Sequence, residues 1–318
     1  MRRIIGLVII NIILVVILGI ASPYFLTKAN LVVMVNNIAL EVIILSGYTL
    51  LVIGGHFDLS VDGIVALSGV IAGLLLVRGV WWVWAVGVSL LVASGIGFIN
   101  GVIVAKLKIN GFIATLTTWW ICIGCSLGMT KAVPPYGFPE TFQLLGQSNL
   151  FGFKYFVFCA IIVACVLSFV LHMTPTGVHL YASGDSPRSC ERVGINISLL
   201  GIKMYMLLGF LSGFVGLILA SRLNAASPIA VDGMALRIIA ALVIGGVGLS
   251  GGSGTIIGGL FGLLIMHIFN NAVVQLGISP FWSKTVLGLI LLIAVLSEQL
   301  KFSFTKGRVS NVKEPKVA

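Results

Sequence analysis

Charge is what this sequence has least of. Asp, Glu, Lys and Arg make up 9% of its 318 residues, where a soluble globular domain carries about 25%. So few charges cannot coat a water-facing surface, which excludes a cytosolic globular enzyme. Cysteine is sparse: Cys122, Cys125, Cys159, Cys165 and Cys190 are odd in number, and the first four lie in apolar runs. Cys122-Ile-Gly-Cys125 has redox or metal spacing, but no second pair or histidine cluster accompanies it, so the thiols read as small packing groups. The chain has no G-x-x-x-x-G-K-[ST] segment and hence no P-loop for ATP. Ser/His/Asp, H-E-x-x-H and paired-carboxylate constellations are also missing, which argues against a membrane enzyme. Gly246-x-Gly248-x-x-Gly251 spells a dinucleotide fingerprint, yet no β-α-β pattern surrounds it.

Apolar residues are what the chain does have: 59% of it is hydrophobic, with a mean hydropathy of +1.17. A spanning helix needs about 20 apolar residues, so the expected fold is all-α: a polytopic transmembrane helical bundle of about 10 spans, some broken or re-entrant. The 39 glycines suit close helix packing in lipid. Five pairs at helical spacing stand out: Gly69/Gly73, Gly97/Gly101, Gly124/Gly128, Gly209/Gly213 and Gly258/Gly262. A transmembrane domain is expected over residues 1–300 and a basic cytoplasmic tail over 301–318.

Spans are expected at 4–21, 31–53, 64–77, 83–105, 111–129, 155–173, 199–221, 238–247, 256–276 and 283–300. The first also has the opening of a signal peptide, with Gly19-x-Ala21 as a small-residue cleavage site, but its apolar region is long for one, which favours an uncleaved span. The stretch 130–154, with Pro134, Pro135 and Pro139, reads as the longest outside loop. The eighth run is short enough to be re-entrant. A net charge of +10 would suggest nucleic acid in a soluble protein; here the basic residues sit between apolar runs and read as an orientation signal in a lipid bilayer. With the N-terminus inside, twelve basic residues fall on the cytoplasmic side and seven outside. Both termini are therefore expected in the cytoplasm.

Two places carry candidate chemistry. Gly54-Gly55-His56-Phe57-Asp58-Leu59-Ser60-Val61-Asp62-Gly63 interrupts the apolar pattern, so this backbone must be packed in protein or line a polar cavity. Glu41 and Asp58 are the candidate functional acids, since charge at membrane depth is costly. Asp58 reads first as a cap for the helix starting near Val61, its carboxylate accepting exposed backbone N–H groups. A proton relay through His56, Asp58, Asp62 and the distant His267 is the weaker reading. The second place is the polar loop 183–196. Pro187 suits the first turn of a helix and Gly194 its end, giving a short helix on which a soluble partner can dock; a solvated connector is the plain alternative.

Several blocks, in order, carry a resemblance: Gly54-Gly55-His56-Phe57-Asp58-Leu59-Ser60-Val61; Asn110-Gly111-Phe112-Ile113-Ala114-Thr115-Leu116; Tyr181-Ala182-x-Gly184 with Gly194-Ile195-Asn196; Ile239 to Gly246; Leu249-Ser250-Gly251-Gly252-x-Gly254-Thr255; Asn270-Asn271; and Ser279-Pro280-Phe281-Trp282. Together they resemble the permease subunit of bacterial ribose/monosaccharide-type ABC importers, in the branched-chain amino acid/ribose permease superfamily. The resemblance implies a non-catalytic subunit in the bacterial cytoplasmic membrane, paired with a second permease as homodimer or heterodimer. It implies two cytoplasmic ATP-binding cassette subunits that hold ATP and Mg, an extracytoplasmic sugar-binding protein, and no cofactor or metal in this chain. The cassette-coupling residues would be Ser186, Pro187, Arg188, Glu191, Arg192 and Gly194. The broken-helix pathway would include Glu41, Gly54, Gly55, Asp58, Ser60, Gly251 and Gly252. The sequence departs from that pattern at Asp62, where glycine is usual, and at Ala235 and Arg237, where an acidic pair is usual. Nucleoside and branched-chain amino acid permeases, and an ion-coupled secondary transporter, are the other readings.

Overall fold

The structure is a computed structural model that describes residues 2–275 except 230 and 232, with a few isolated positions beyond. The expected last span and the basic tail lie outside the described residues. Twelve α-helices follow one another in this part: α1 Arg2–Ala21, α2 Lys28–Ile53, α3 Val61–Val77, α4 Trp82–Gly101, α5 Gly111–Thr130, α6 Glu140–Gln147, α7 Tyr155–Met173, α8 Pro175–Asp185, α9 Pro187–Arg192, α10 Ile197–Leu223, α11 Met234–Gly245 and α12 Ile256–Gln275. Seven helices among the described residues are long and apolar enough to cross a membrane, while α3 and α11 are apolar but shorter.

Two helices form the centre. From Leu40 to Ile53, α2 is buried on every side, as expected of a helix that is apolar all round. Beside it, α10 packs against α2, α3 and α4. Small residues set that spacing. A Cβ on Gly97 would overlap the carbonyl oxygen of Tyr205, and one on Gly101 would lie 2.7 Å from the Cα of Ile202. The α4–α10 backbones therefore approach as only glycine permits. Gly124 and Gly128, in contrast, have nothing within 4 Å. The outward faces of α1, α4, α5 and α7 carry Ile9, Ile13, Ile17, Leu91, Trp120 and Phe169, all exposed, and this apolar coat suits hydrocarbon rather than water.

Two local expectations are corrected. The stretch 130–154 is not simply a loop: it holds α6 and a small hairpin, Asn149–Leu150 paired with Phe153–Lys154. Phe142 on α6 is fully buried, and Ser221 of α10 clasps the helix, accepting from the Gly146 N–H at 2.8 Å and donating to the Phe142 carbonyl at 2.7 Å. The prolines that mark this stretch as irregular lie before the helix. Likewise, Thr174-Pro175 ends α7 but also begins α8, because proline at the first helical position forfeits no hydrogen bond.

Candidate transport site

The interruption after α2 is tied down by side chains from α2 itself and from two other helices, α5 and α10. Gly54 closes α2 and Gly55, at φ +81°, turns the chain back. Tyr48 Oη donates to the Asp58 carbonyl at 2.6 Å and accepts the Asp58 N–H at 3.1 Å. Tyr205 Oη donates to the Phe57 carbonyl at 2.7 Å, and Thr115 Oγ1 accepts the Leu59 N–H at 2.9 Å. The returning segment therefore lies alongside α2 at the level of Tyr48, with its polar backbone satisfied inside protein.

Asp58 is fully buried. Its Oδ1 accepts the Ser60 N–H at 2.7 Å and the Ser60 hydroxyl at 2.6 Å. The carboxylate thus holds the turn leading into α3, while Ser60 occupies the N-cap position without a side-chain cap bond. Ser60 Oγ in turn accepts from Asn100 at 2.9 Å, and Asn100 accepts from Thr118 at 2.7 Å. His56, Asp58 and Asp62 do not form one cluster. The His56 ring packs beside Tyr205, with centroids 5.6 Å apart, and Asp62 reaches α11. Its Oδ2 accepts the Gly233 and Met234 N–H groups at 2.8 and 3.1 Å, and its Oδ1 accepts Ala235 N–H at 2.8 Å.

Glycines join three chain segments. The Gly252 N–H donates to the Ile53 carbonyl at 2.8 Å. A Cβ on Gly184 would collide with that same carbonyl and with the Gly252 nitrogen. One on Gly251 would stand 2.8 Å from the Gly184 Cα and 2.9 Å from the Gly55 Cα. Tyr181 Oη adds a bond to the Gly254 carbonyl at 2.7 Å. The end of α8 is thereby locked both to the α2–α3 interruption and to the loop between α11 and α12.

That lock sits directly before α9. Ser186 Oγ pairs with Ser189 Oγ at 2.7 Å, Pro187 is the first helical residue, and Gly194 at φ +83° lies in the turn that ends the helix. Cys190 is buried against the body, whereas Arg188, Glu191, Arg192 and Val193 are exposed. Val193 is 75% exposed, so the knob has an apolar tip flanked by charge.

Toward the other end of α11 lies a cavity of about 270 Å³ lined by residues of α2, α10, α11 and α12. Glu41 is its buried acid. Arg237 donates to Glu41 Oε1 from Nε at 3.0 Å and from Nη2 at 2.9 Å. His267 Nε2 lies 3.1 Å from Glu41 Oε2, but the two are not aligned for a hydrogen bond, and both buried atoms are without one. At the rim, Arg222 Nη1 donates to Asn37 Oδ1 at 3.1 Å. Sequence reasoning singled out Glu41 but not its partners. Arg237 entered as a departure from a pattern and His267 as a lone packing residue; the sequence distance of 196 residues between Glu41 and Arg237 leaves no local signal. Among the described residues no group of three or more His, Cys, Asp or Glu is placed to hold a metal ion.

A polar cavity, an interrupted helix packed in protein and seven long apolar helices among the described residues are the features of a polytopic membrane protein. The chain belongs to the family described as branched-chain amino acid transport system / permease component, which matches over residues 30–295. It is 36% identical over 291 residues to the ribose import permease protein RbsC of Bacillus subtilis, covering 91% of this chain and 90% of that one. It is 31% identical over 287 residues to the fructose import permease protein FrcC of Rhizobium meliloti, covering 86% and 79%. It is 31% identical over 296 residues to the L-arabinose ABC transporter permease protein AraH of Azospirillum brasilense, covering 93% and 87%. No solved structure matches the chain.

Proposed function

We propose that this chain is the membrane-spanning subunit of an ATP-driven ABC importer that carries a monosaccharide across the bacterial cytoplasmic membrane. The observation that carries this reading is end-to-end similarity, over about nine-tenths of both chains, to relatives named as ribose and arabinose permeases. The chain supplies the path and catalyses nothing. ATP and Mg belong to two cytoplasmic cassette subunits, and an extracytoplasmic sugar-binding protein delivers the solute. A second permease, identical or different, completes the pathway. Both termini and α9 face the cytoplasm. Ser186, Pro187, Arg188, Glu191, Arg192 and Gly194 make the cassette-coupling segment. Glu41, Gly54, Gly55, Asp58, Ser60, Gly251 and Gly252 shape and join the interrupted helices of the pathway.

The test is uptake by proteoliposomes holding the permease, cassettes and binding protein. Labelled ribose, arabinose or fructose should accumulate only with ATP inside. The family description also names branched-chain amino acids, so leucine and valine are the competitors to include. Accumulation that follows an imposed proton or sodium gradient without the cassettes would sink the importer reading.

A further inference from the structure

The cavity between α2, α10, α11 and α12 is walled by a polar pair, Glu41 Oε2 and His267 Nε2, that lies 3.1 Å apart without the alignment of a hydrogen bond. Glu41 is 4% exposed and His267 7% exposed. Both line the cavity, and Glu41 Oε2 and His267 Nε2 each lack a hydrogen bond. Buried polar atoms in folded proteins nearly always have partners, and exceptions call for an explanation. Arg237 donates to the other carboxylate oxygen, Oε1. It fixes the carboxylate and leaves Oε2 facing His267.

We propose that Glu41 Oε2 and His267 Nε2 form a hydroxyl-reading subsite for the sugar during its passage, so that the permease discriminates solutes in addition to any binding protein; this rests on the monosaccharide reading above. A hydroxyl both donates and accepts through a single oxygen. One hydroxyl can therefore donate to Oε2 while accepting from Nε2–H, and it can donate to Nε2 in the other tautomer. The rest of the lining has the two characters that a sugar ring presents. Leu40, Leu219, Val231 and Met234 offer an apolar wall for the C–H face, while Asn37 and Asn270 offer amides for hydroxyls at the edge. The volume of about 270 Å³ lies just below the roughly 300–1,000 Å³ of pockets for drug-sized ligands, which suits one ring and not two. Selectivity is expected to be steep, because a site built to hydrogen-bond a hydroxyl rejects the analogue that lacks it.

The test uses the complete transporter in proteoliposomes with saturating, sugar-loaded binding protein. It compares the initial flux of a carried pentose with that of its singly deoxygenated analogues. Wild type, Glu41→Gln and His267→Gln share one binding protein, so a change in the flux ratio between variants belongs to the permease. Each variant should cut pentose flux by about tenfold or more while still co-purifying with its cassettes. The wild-type preference for the pentose over one particular deoxy analogue should collapse toward unity, as the pair no longer reads the missing hydroxyl. Equal losses for the pentose and every analogue, leaving all ratios unchanged, would overturn the subsite and make the pair purely structural. If Glu41→Gln fails to fold, His267→Gln decides alone, since it keeps the Arg237–Glu41 ion pair. A wild-type transporter that carries leucine or valine and no sugar would overturn the monosaccharide reading, and the subsite with it.

Discussion

Asp62 Oδ1 accepts the backbone N–H of Ala235 at 2.8 Å, joining two short helices whose residues are 173 positions apart. Together with the bonds from Gly233 and Met234, one carboxylate satisfies three of the orphan donors at the start of α11. A negative charge there also complements the helix dipole. The carboxylate at the start of α11 is supplied from the first turn of α3.

Removing that carboxylate should expose the cost. Asp62→Gly is expected to destabilise the protein by about 1–3 kcal/mol, the usual penalty for leaving buried donors unpaired. Asp62→Asn, which keeps one acceptor oxygen, should lose less. Thermal unfolding of the purified chain in detergent measures both. Equal melting temperatures for wild type and Asp62→Gly would show that the three bonds contribute nothing net.

The glycine junction makes a contrast within one residue type. Gly184→Ala drives a methyl group into the Ile53 carbonyl and the Gly252 nitrogen, and should sharply reduce folded yield. Gly124→Ala and Gly128→Ala meet open space and should fall within about 0.5 kcal/mol of wild type, as surface changes usually do. Detergent size-exclusion profiles of the three variants separate the cases. A well-folded Gly184→Ala would mean that α8 can slide off the junction.

Arg188 and Arg192 are exposed on α9, four residues apart and so on one helical face. Replacing both with Glu leaves the fold unchanged and should uncouple ATP hydrolysis from uptake or release the cassette. Cassette co-purification and ATPase rate in proteoliposomes are the readouts. If assembly, hydrolysis and uptake all persist, these charges are only a solvated face.

Orientation is checked by labelling single cysteines on a cysteine-free background. A membrane-impermeant thiol reagent added outside intact cells should modify Thr141→Cys on α6 and miss Arg188→Cys on α9. The opposite pattern would invert the topology.

How far the bundle could be read from the sequence depended on the length of its signals. The helix Tyr155–Met173 was legible to the residue, because an uninterrupted apolar run ends at a proline. The helix Glu140–Gln147 was not, since two turns are too short to establish a period among prolines and polar residues. Pro175 was legible as a stop but not as a start, because proline serves both ends of that junction. The interruption at Gly54–Ser60 could be expected from glycines and acids in an apolar chain. Its fastening by Tyr48, Thr115 and Tyr205 could not, as those hydroxyls look like ordinary helix residues until the helices are side by side. Glu41 was conspicuous as an isolated charge, whereas Arg237 and His267 become its neighbours only through the packing of α2, α11 and α12.

The short helix α11 has a mechanical consequence. Its 12 residues make a rod of about 18 Å. At one end it runs into the loop whose glycines clasp α8, one residue from the surface knob. At the other end it is pinned by Asp62 and carries Arg237, whose guanidinium holds Glu41 in place at the cavity wall. Because the clasp is made by main chain on main chain, force applied at the knob has little side-chain slack in which to dissipate. In the proposed importer, a pull on α9 would reach Arg237 through this clasp, so one stroke would act on the cassette contact and on the cavity wall together.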